Sequence, residues 1–377
     1  MALVNKVLVI GGGVGGMSAA IQLRKQGIAV DLVEQSPDWA PDGAGITISG
    51  PSLRALRSVG VVDDVLRRGG HWTHVDICGA DGSVLNTVPL HHAHGAEDLP
   101  PAGGIMRPVL ADILACATRK AGTSVRLGCS FELLTPDDQG VDVLFTDGSH
   151  GRYDLVVGAD GVNSRVRSVV MPEFGGPRFT GQGSWRAVVP RTRRNSTIFM
   201  GKTTKAGLNP VSETESYLFT LDKRDDMDFI PPEQWPAMLA DLLQEFGGAV
   251  GDVRDALRSG SITHQRIVYR PLTGHMISAP WHRGRIVLLG DAVHATTPHL
   301  ASGAGIAIEA AIVLAEELAR RHSLEGALTA YAGRHFDRAH LVVTASGRMG
   351  QIERTGGAKE EHMQVMQHAM EALRAPI

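Results

Sequence analysis

The 377-residue chain is 43% hydrophobic, enough for one large core or two fused lobes. Its 37 Lys and Arg against 40 Asp and Glu leave a formal charge of −3, which excludes the basic excess that nucleic acid or an anionic membrane would select. Three cysteines without metal-ligand spacing, no signal-peptide layout and no apolar run near the roughly 20 residues a bilayer demands point to a soluble, reduced, cytoplasmic protein without structural disulfides.

Residues 4–10 form an apolar, β-branched run that stops at Gly11-Gly12-Gly13-Val14-Gly15-Gly16. Helical patterning over 17–26 breaks at Gly27, and 29–34 is the next buried strand. Strand–helix–strand is the expected opening of a parallel sheet with helical crossovers. After Pro41 comes a glycine turn, Gly43-Ala44-Gly45, then helices over 53–59 and 61–68 and a hairpin over 73–88 about Asp81-Gly82. The spacing predicts a helix over 108–121 with Pro at its first position, hairpin strands about Asp147-Gly148, and a short buried strand over 155–158. From about 176 to 280 polar, alternating strands such as 216–221 take over, with one helix near 236–246, which reads as an antiparallel lobe. Residues 286–289 return to buried-strand character, 303–319 form a long apolar helix, and helices follow over about 326–347 and 358–373.

Gly11-x-Gly13-x-x-Gly16 has a separate physical task at each glycine: a tight turn, close backbone approach to a pyrophosphate, and close helix–strand packing. The free N–H groups and positive end of the next helix then face the phosphates. Glu34, followed by Gln35, closes the second strand 18 residues beyond Gly16, where a carboxylate can accept from a ribose hydroxyl. The unit implies dinucleotide binding but does not by itself separate FAD from NAD. Two later segments bear on that choice. One is the strand 155–158 running into Asp160-Gly161, with Ser164 and Arg167 at fixed offsets; the other is Gly290-Asp291-Ala-Val-His294, followed by Pro298-His299-Leu300-Ala301-Ser302-Gly303-Ala304-Gly305.

Three such motifs in this order, spanning 7–310, resemble the class A FAD-dependent aromatic hydroxylases with the fold of p-hydroxybenzoate hydroxylase. The resemblance implies an α/β fold: a Rossmann-like FAD-binding domain (1–70, 99–175 and 281–322), an inserted antiparallel β-sheet substrate domain (hairpin 71–98 and 176–280), and C-terminal helices (323–377). It also implies that Asp160-Gly161 serves the flavin pyrophosphate and NAD(P)H, that Asp291 holds ribityl hydroxyls, and that Pro298 lies beside the isoalloxazine. Gly303, Ala304 and Gly305 open a helix whose amides can stabilise negative charge on reduced flavin. Arg107, in Arg107-x-x-Leu110-x-x-x-Leu114, matches the family arginine that approaches the phosphates. With Gly11, Gly13, Val14, Gly15, Gly16, Glu34, Gln35 and the turn glycine Gly45, these complete the expected cofactor set. The chain departs from many relatives at Ala301-Ser302, Ala310 and near Pro51.

The implied reaction is NAD(P)H- and O2-dependent hydroxylation of a small aromatic or N-heteroaromatic ring through a flavin C4a-hydroperoxide. NADH or NADPH docks transiently, since a second glycine fingerprint is missing. A redox Cys pair is also lacking, which argues against the disulfide reductases. The segment Gly183-Ser-Trp185-Arg186-Ala-Val-Val-Pro190 lacks the two-tryptophan spacing of flavin halogenases. It looks instead like the Trp-Arg strand of the small salicylate, 6-hydroxynicotinate and 2-alkylquinolone hydroxylases. Tyr217 on a lobe strand is the candidate substrate-side hydroxyl; His299 and Arg186 are candidates for reaching the ring or its charge. Thr47 stands where the 6-hydroxynicotinate enzymes carry a histidine, and a threonine cannot serve as that base. His91, His92 and His94 lie in a polar loop without a tetrahedral ligand set, so no metal is expected. The stripe Met363, Met366, Met370, Leu373 reads as core packing or a subunit contact, leaving monomer and homodimer both open. Two alternatives stand beside the hydroxylase: an FAD oxidoreductase that does not insert oxygen, and a flavin-binding protein without turnover.

Overall fold

In a computed structural model, which describes residues 3–39 and 43–377, the chain builds two large sheets and two three-stranded ones. Pro41, at the head of the expected glycine turn, lies outside the described residues. The first sheet runs in the order His282–Arg283, Ile286–Leu288, Leu155–Gly158, Lys6–Ile10, Ala29–Glu34, Ser124–Leu127. Its interior pairs are parallel, and only the 282–288 edge is antiparallel. Val7, Leu8 and Val9 are fully buried, as a strand covered on both faces requires. The covering helix Val14–Lys25 packs on the helix Gly303–Arg320. Gly15 makes that approach possible: a Cβ there would lie 2.8 Å from Leu289 Cδ2 and 3.4 Å from Ala307 Cβ.

The second sheet has seven strands in the order Ile267–Gly274, Arg178–Pro190, Glu215–Lys223, Lys205–Pro210, Ser196–Met200, His74–Gly79, Val84–Pro89. It is antiparallel except where Ser196–Met200 meets His74–Gly79 in parallel, so the 73–88 hairpin enters this sheet across sequence from the main lobe. Strand alternation sorts its faces. Trp185, Ala187, Val189 and Leu218 join a core under the helices Trp235–Leu242 and Gly248–Arg258. Arg186, Val188, Tyr217 and Asn209 lie on the other face by register.

Most expected elements fall within a few residues of their places, and several others, such as the strands Ala102–Met106 and Ser124–Leu127 and the helix Arg165–Val170, are additional. Gly45 begins a strand, Gly45–Ser49, paired to Ala102–Met106, because the β-branched Ile46-Thr47-Ile48 has a partner strand far along the chain. The helix Gly248–Arg258 was hidden by Gly247, Gly248 and Gly251, although Val250, Val253 and Leu257 are buried at helical spacing. Helix Leu324–Thr355 continues well past 347, and Lys359–Arg374 folds back on it, burying Ala369 and Leu373 with Met366 and Met370 packed alongside. No helix among the described residues is long and apolar enough to cross a membrane, and no metal-holding cluster of His, Cys, Asp or Glu is found among them.

Candidate active site

The glycine loop is built by exclusion of side chains. Gly11 has φ +107°, and a Cβ on it would fall 2.4 Å from Ala159 O. A Cβ on Gly16 would fall 2.0 Å from Gly11 O, so the helix start is pressed onto the turn. Gly13 differs: a Cβ there would meet nothing within 4 Å, so its bare backbone faces open space ahead of a helix that has no side-chain cap. Uncapped amides of this kind are an anion site in search of a ligand. Glu34 accepts from Gly12 N at 2.6 Å and from Ser36 N at 2.8 Å, so its carboxylate braces the loop itself. Gln35 is exposed and Val14 half-buried at the helix start. Trp39, which sequence reasoning passed over, donates its Nε1 to Gly12 O at 2.8 Å and lies beneath Arg119 at 4.7 Å.

The Asp160 carboxylate is taken up locally. It accepts from Ser164 Oγ and from the backbone N of Arg165 at 2.8 Å and Val166 at 3.0 Å, capping the short helix Arg165–Val170; Gly161 has φ +82°. Arg167, at its fixed offset in the second motif, is buried and joins that motif to the third. Its guanidinium donates to Val162 O at 2.9 Å and Ala292 O at 3.1 Å, and stands 3.3 Å from His275 Nε2.

Asp291 follows Gly290, which takes φ +65° to turn the chain. Its side chain keeps exposed area in a crowded setting; desolvation by the surrounding protein raises its carboxyl pKa, and Arg107 pulls it down. Arg107 is likewise exposed by area and crowded by neighbouring groups. Burial lowers its guanidinium pKa, Arg186 lowers it further, and Asp291 and Tyr217 oppose both. The Gly303–Arg320 helix also starts without a side-chain cap. Half-buried Ala304 follows Gly303, and a Cβ on Gly305 would lie 2.1 Å from Ser52 Oγ, so glycine lets the helix Gly50–Val59 cross there. Ala301 holds φ +50°, a left-handed conformation disfavoured by its Cβ.

On the sheet side, the structure brings together two residues singled out separately. Thr47 Oγ1 and Tyr217 OH are 2.5 Å apart, and Asn209 Nδ2 donates to both, at 2.8 Å and 3.1 Å. Ser196 Oγ in turn donates to Asn209 Oδ1 at 2.6 Å. Asn209 lacked any sequence signal, because only the strand register puts it beside Tyr217. Gly45 has no room for a side chain: a Cβ would lie 2.1 Å from Tyr217 Cδ1. Arg186 sits 5.8 Å from the Tyr217 ring and donates to Gly45 O at 3.3 Å. Pro298 begins a 3-10 turn, Pro298–Leu300. His299 is closed off from solvent, with Nδ1 2.9 Å from Thr297 Oγ1 and Nε2 3.3 Å from Glu353.

Two uncapped helix starts, a bare glycine backbone, and Asp291 and Arg107 within electrostatic reach of each other fit a long cofactor with an anionic middle and a polyhydroxyl arm, which is the chemistry of FAD. Residues 5–346 match the profile of a family described as an FAD binding domain. Over 350 residues the chain is 31% identical to the aurachin C monooxygenase/isomerase of Stigmatella aurantiaca, covering 92% of this chain and 89% of the relative. It is 32% identical over 323 residues to the 2-heptyl-3-hydroxy-4(1H)-quinolone synthase of Pseudomonas aeruginosa, covering 82% and 79% respectively. Among solved structures it is similar to Klebsiella pneumoniae HpxO complexed with FAD and uric acid, with TM-score 0.82 and 25% identity over 98% of this chain and 92% of that one. The chain therefore belongs to this FAD-binding family and is an FAD-dependent monooxygenase with the fold of the class A aromatic hydroxylases.

Proposed function

We propose that the protein hydroxylates a small aromatic or N-heteroaromatic compound carrying an oxygen on its ring, with NADH or NADPH and dioxygen as co-substrates. FAD, when bound, supplies the hydride acceptance and the oxygen activation. The observation that carries this reading is the Thr47–Tyr217 pair on the cleft face of the seven-stranded sheet. Two hydroxyls hold two protons, and one proton lies between their oxygens. Asn209 donates to both oxygens, so the pair has one proton left to give a ligand. A site with one hydroxyl donor suits an acceptor: a phenolate or a ring carbonyl oxygen. Arg186 adds positive charge beside it, which favours the electron-rich, anionic form of such a ring. The uric acid bound by the Klebsiella protein and the quinolone in the Pseudomonas enzyme's name are both N-heteroaromatic compounds of this kind.

Anaerobic stopped-flow reduction of the flavin by NADH and by NADPH, against hydroxybenzoates, hydroxypyridines, purines and quinolones, tests the proposal. One ring compound should speed reduction many-fold, and under labelled dioxygen the product should carry one labelled oxygen atom. Nicotinamide oxidation without label in the organic product would assign an oxidoreductase that does not insert oxygen. A flavin that neither nicotinamide reduces, whatever ring is added, would leave a flavin-binding protein without turnover.

A further inference from the structure

Glu353 lies near the end of the helix Leu324–Thr355, beyond the residues matched by the family profile. Its Oε1 accepts from Lys205 Nζ at 2.5 Å and from His362 Nε2 at 2.8 Å, while its Oε2 stands 3.3 Å from His299 Nε2. One carboxylate on this helix thus touches three other elements. Lys205 belongs to the seven-stranded sheet, His362 to the last helix, and His299 to the turn ahead of the Gly303–Arg320 helix. Burial alone would raise the Glu353 carboxyl; His299, His362 and Lys205 outweigh it and hold the group well below the usual carboxylate range.

The turn is held from this side at several points. Leu300 is buried against Ala345, Met349 and Ala369 of the two C-terminal helices. Gly350 lies inside the same helix, one turn before Glu353, where glycine costs about 1 kcal/mol against alanine. A Cβ there would fall 2.7 Å from Gln182 Oε1 and 2.9 Å from His299 Cε1, so the glycine admits both side chains against the helix. His299 Nε2 is near enough to Glu353 for a charge contact but is not aimed well enough to close a hydrogen bond. The backbone so held includes Ala301 at φ +50°.

We infer that Glu353 is a positioning residue for the flavin site: acting through His299, it pins the Pro298–Ser302 turn to the substrate-side sheet and the last helix, so that the C-terminal helices set where the flavin ring sits. The inference rests on the flavin reading of the cleft and on Pro298 lying beside that ring. Glu353→Gln keeps the shape and removes the charge.

The test uses purified full-length protein, with FAD uptake followed by fluorescence quenching, the visible absorption bands and the flavin reduction potential. Glu353→Gln should weaken FAD binding about tenfold, the scale of losing contacts to a charged group, and shift the flavin bands and potential. Gly350→Ala, which displaces His299 from the helix side, should give the same spectral signature. Arg348→Gln breaks the exposed Arg348–Glu361 pair between the same two helices and should leave the flavin unchanged. Wild-type flavin properties in Glu353→Gln would overturn the inference alone. An equal shift in Arg348→Gln would also overturn it, by reducing the effect to helix docking. Wild-type protein that takes up no FAD would sink the flavin reading, and the inference with it.

Discussion

Side chains in the cleft do different kinds of work at similar burial. Tyr217 is 4% exposed and would pass for core packing, yet its hydroxyl is tied to Thr47 and Asn209. Tyr217→Phe keeps the ring and removes one hydroxyl, so FAD uptake should be unchanged. Product formed per nicotinamide oxidised should fall about tenfold to a hundredfold, the scale of one unmade buried hydrogen bond; comparing product with nicotinamide consumption reads it directly. Ala301 is the opposite case, a residue whose backbone is disfavoured where it sits. Ala301→Gly relieves the Cβ strain but frees the unfolded chain, so a net gain of about 0.5–1 kcal/mol is expected from denaturant midpoints.

At the level of elements, the site rests on two packed helices that both start without side-chain caps. Each start is possible because a glycine removes a Cβ, but the glycines act in different states. Gly16 is pressed on Gly11 O within the protein, so Gly16→Ala should destabilise the FAD-free protein itself. Gly13 faces open space, so Gly13→Ala should leave the FAD-free midpoint within about 0.5 kcal/mol of wild type while weakening FAD binding. Thermal melts with and without FAD separate the two. Equal losses in both variants would mean that Gly13 is structural rather than cofactor-facing. The Asp160 cap and the buried Arg167 belong to this scale as well, since they fix one motif against another before any ligand arrives.

The whole molecule carries a pH dependence written into its core. His294 sits in the Asp291–His294 turn with both ring nitrogens unpartnered, 5.2 Å from the His335 ring and 6.0 Å from Trp281. Burial pushes its pKa down to about 4, and His275 falls to about 4 through burial and Arg167. The unfolded chain takes up protons at these histidines near pH 6.5 while the folded chain does not, so stability falls as pH drops from about 6.5 towards 4. Each group contributes on the order of 3 kcal/mol across that window, comparable with a large part of a domain's net stability. Acid titration by circular dichroism should show unfolding within the window, with flavin release accompanying it because His294 shares its turn with Asp291. His294→Phe should move the midpoint to lower pH; an unmoved midpoint would place the acid sensitivity elsewhere.

Sequence alone determined the glycine fingerprint, the order of the three motifs and most of the helices, because each depends on contacts between near neighbours or on a backbone shape that only certain residues allow. Gly11 and Gly16 were legible for that reason, and so was the resemblance that led to FAD. Only the tertiary structure decided what touches across long separations. It joined Thr47 to Tyr217, added Asn209, made Gly45 the start of a strand and paired the hairpin expected in the substrate domain in parallel with Ser196–Met200. It also brought His299 against Glu353. Strand register and helix docking depend on partners that local sequence does not name, and a one-residue slip reverses which side chains face the site. Local pattern holds no record of that choice, whereas packing of the whole chain makes it once.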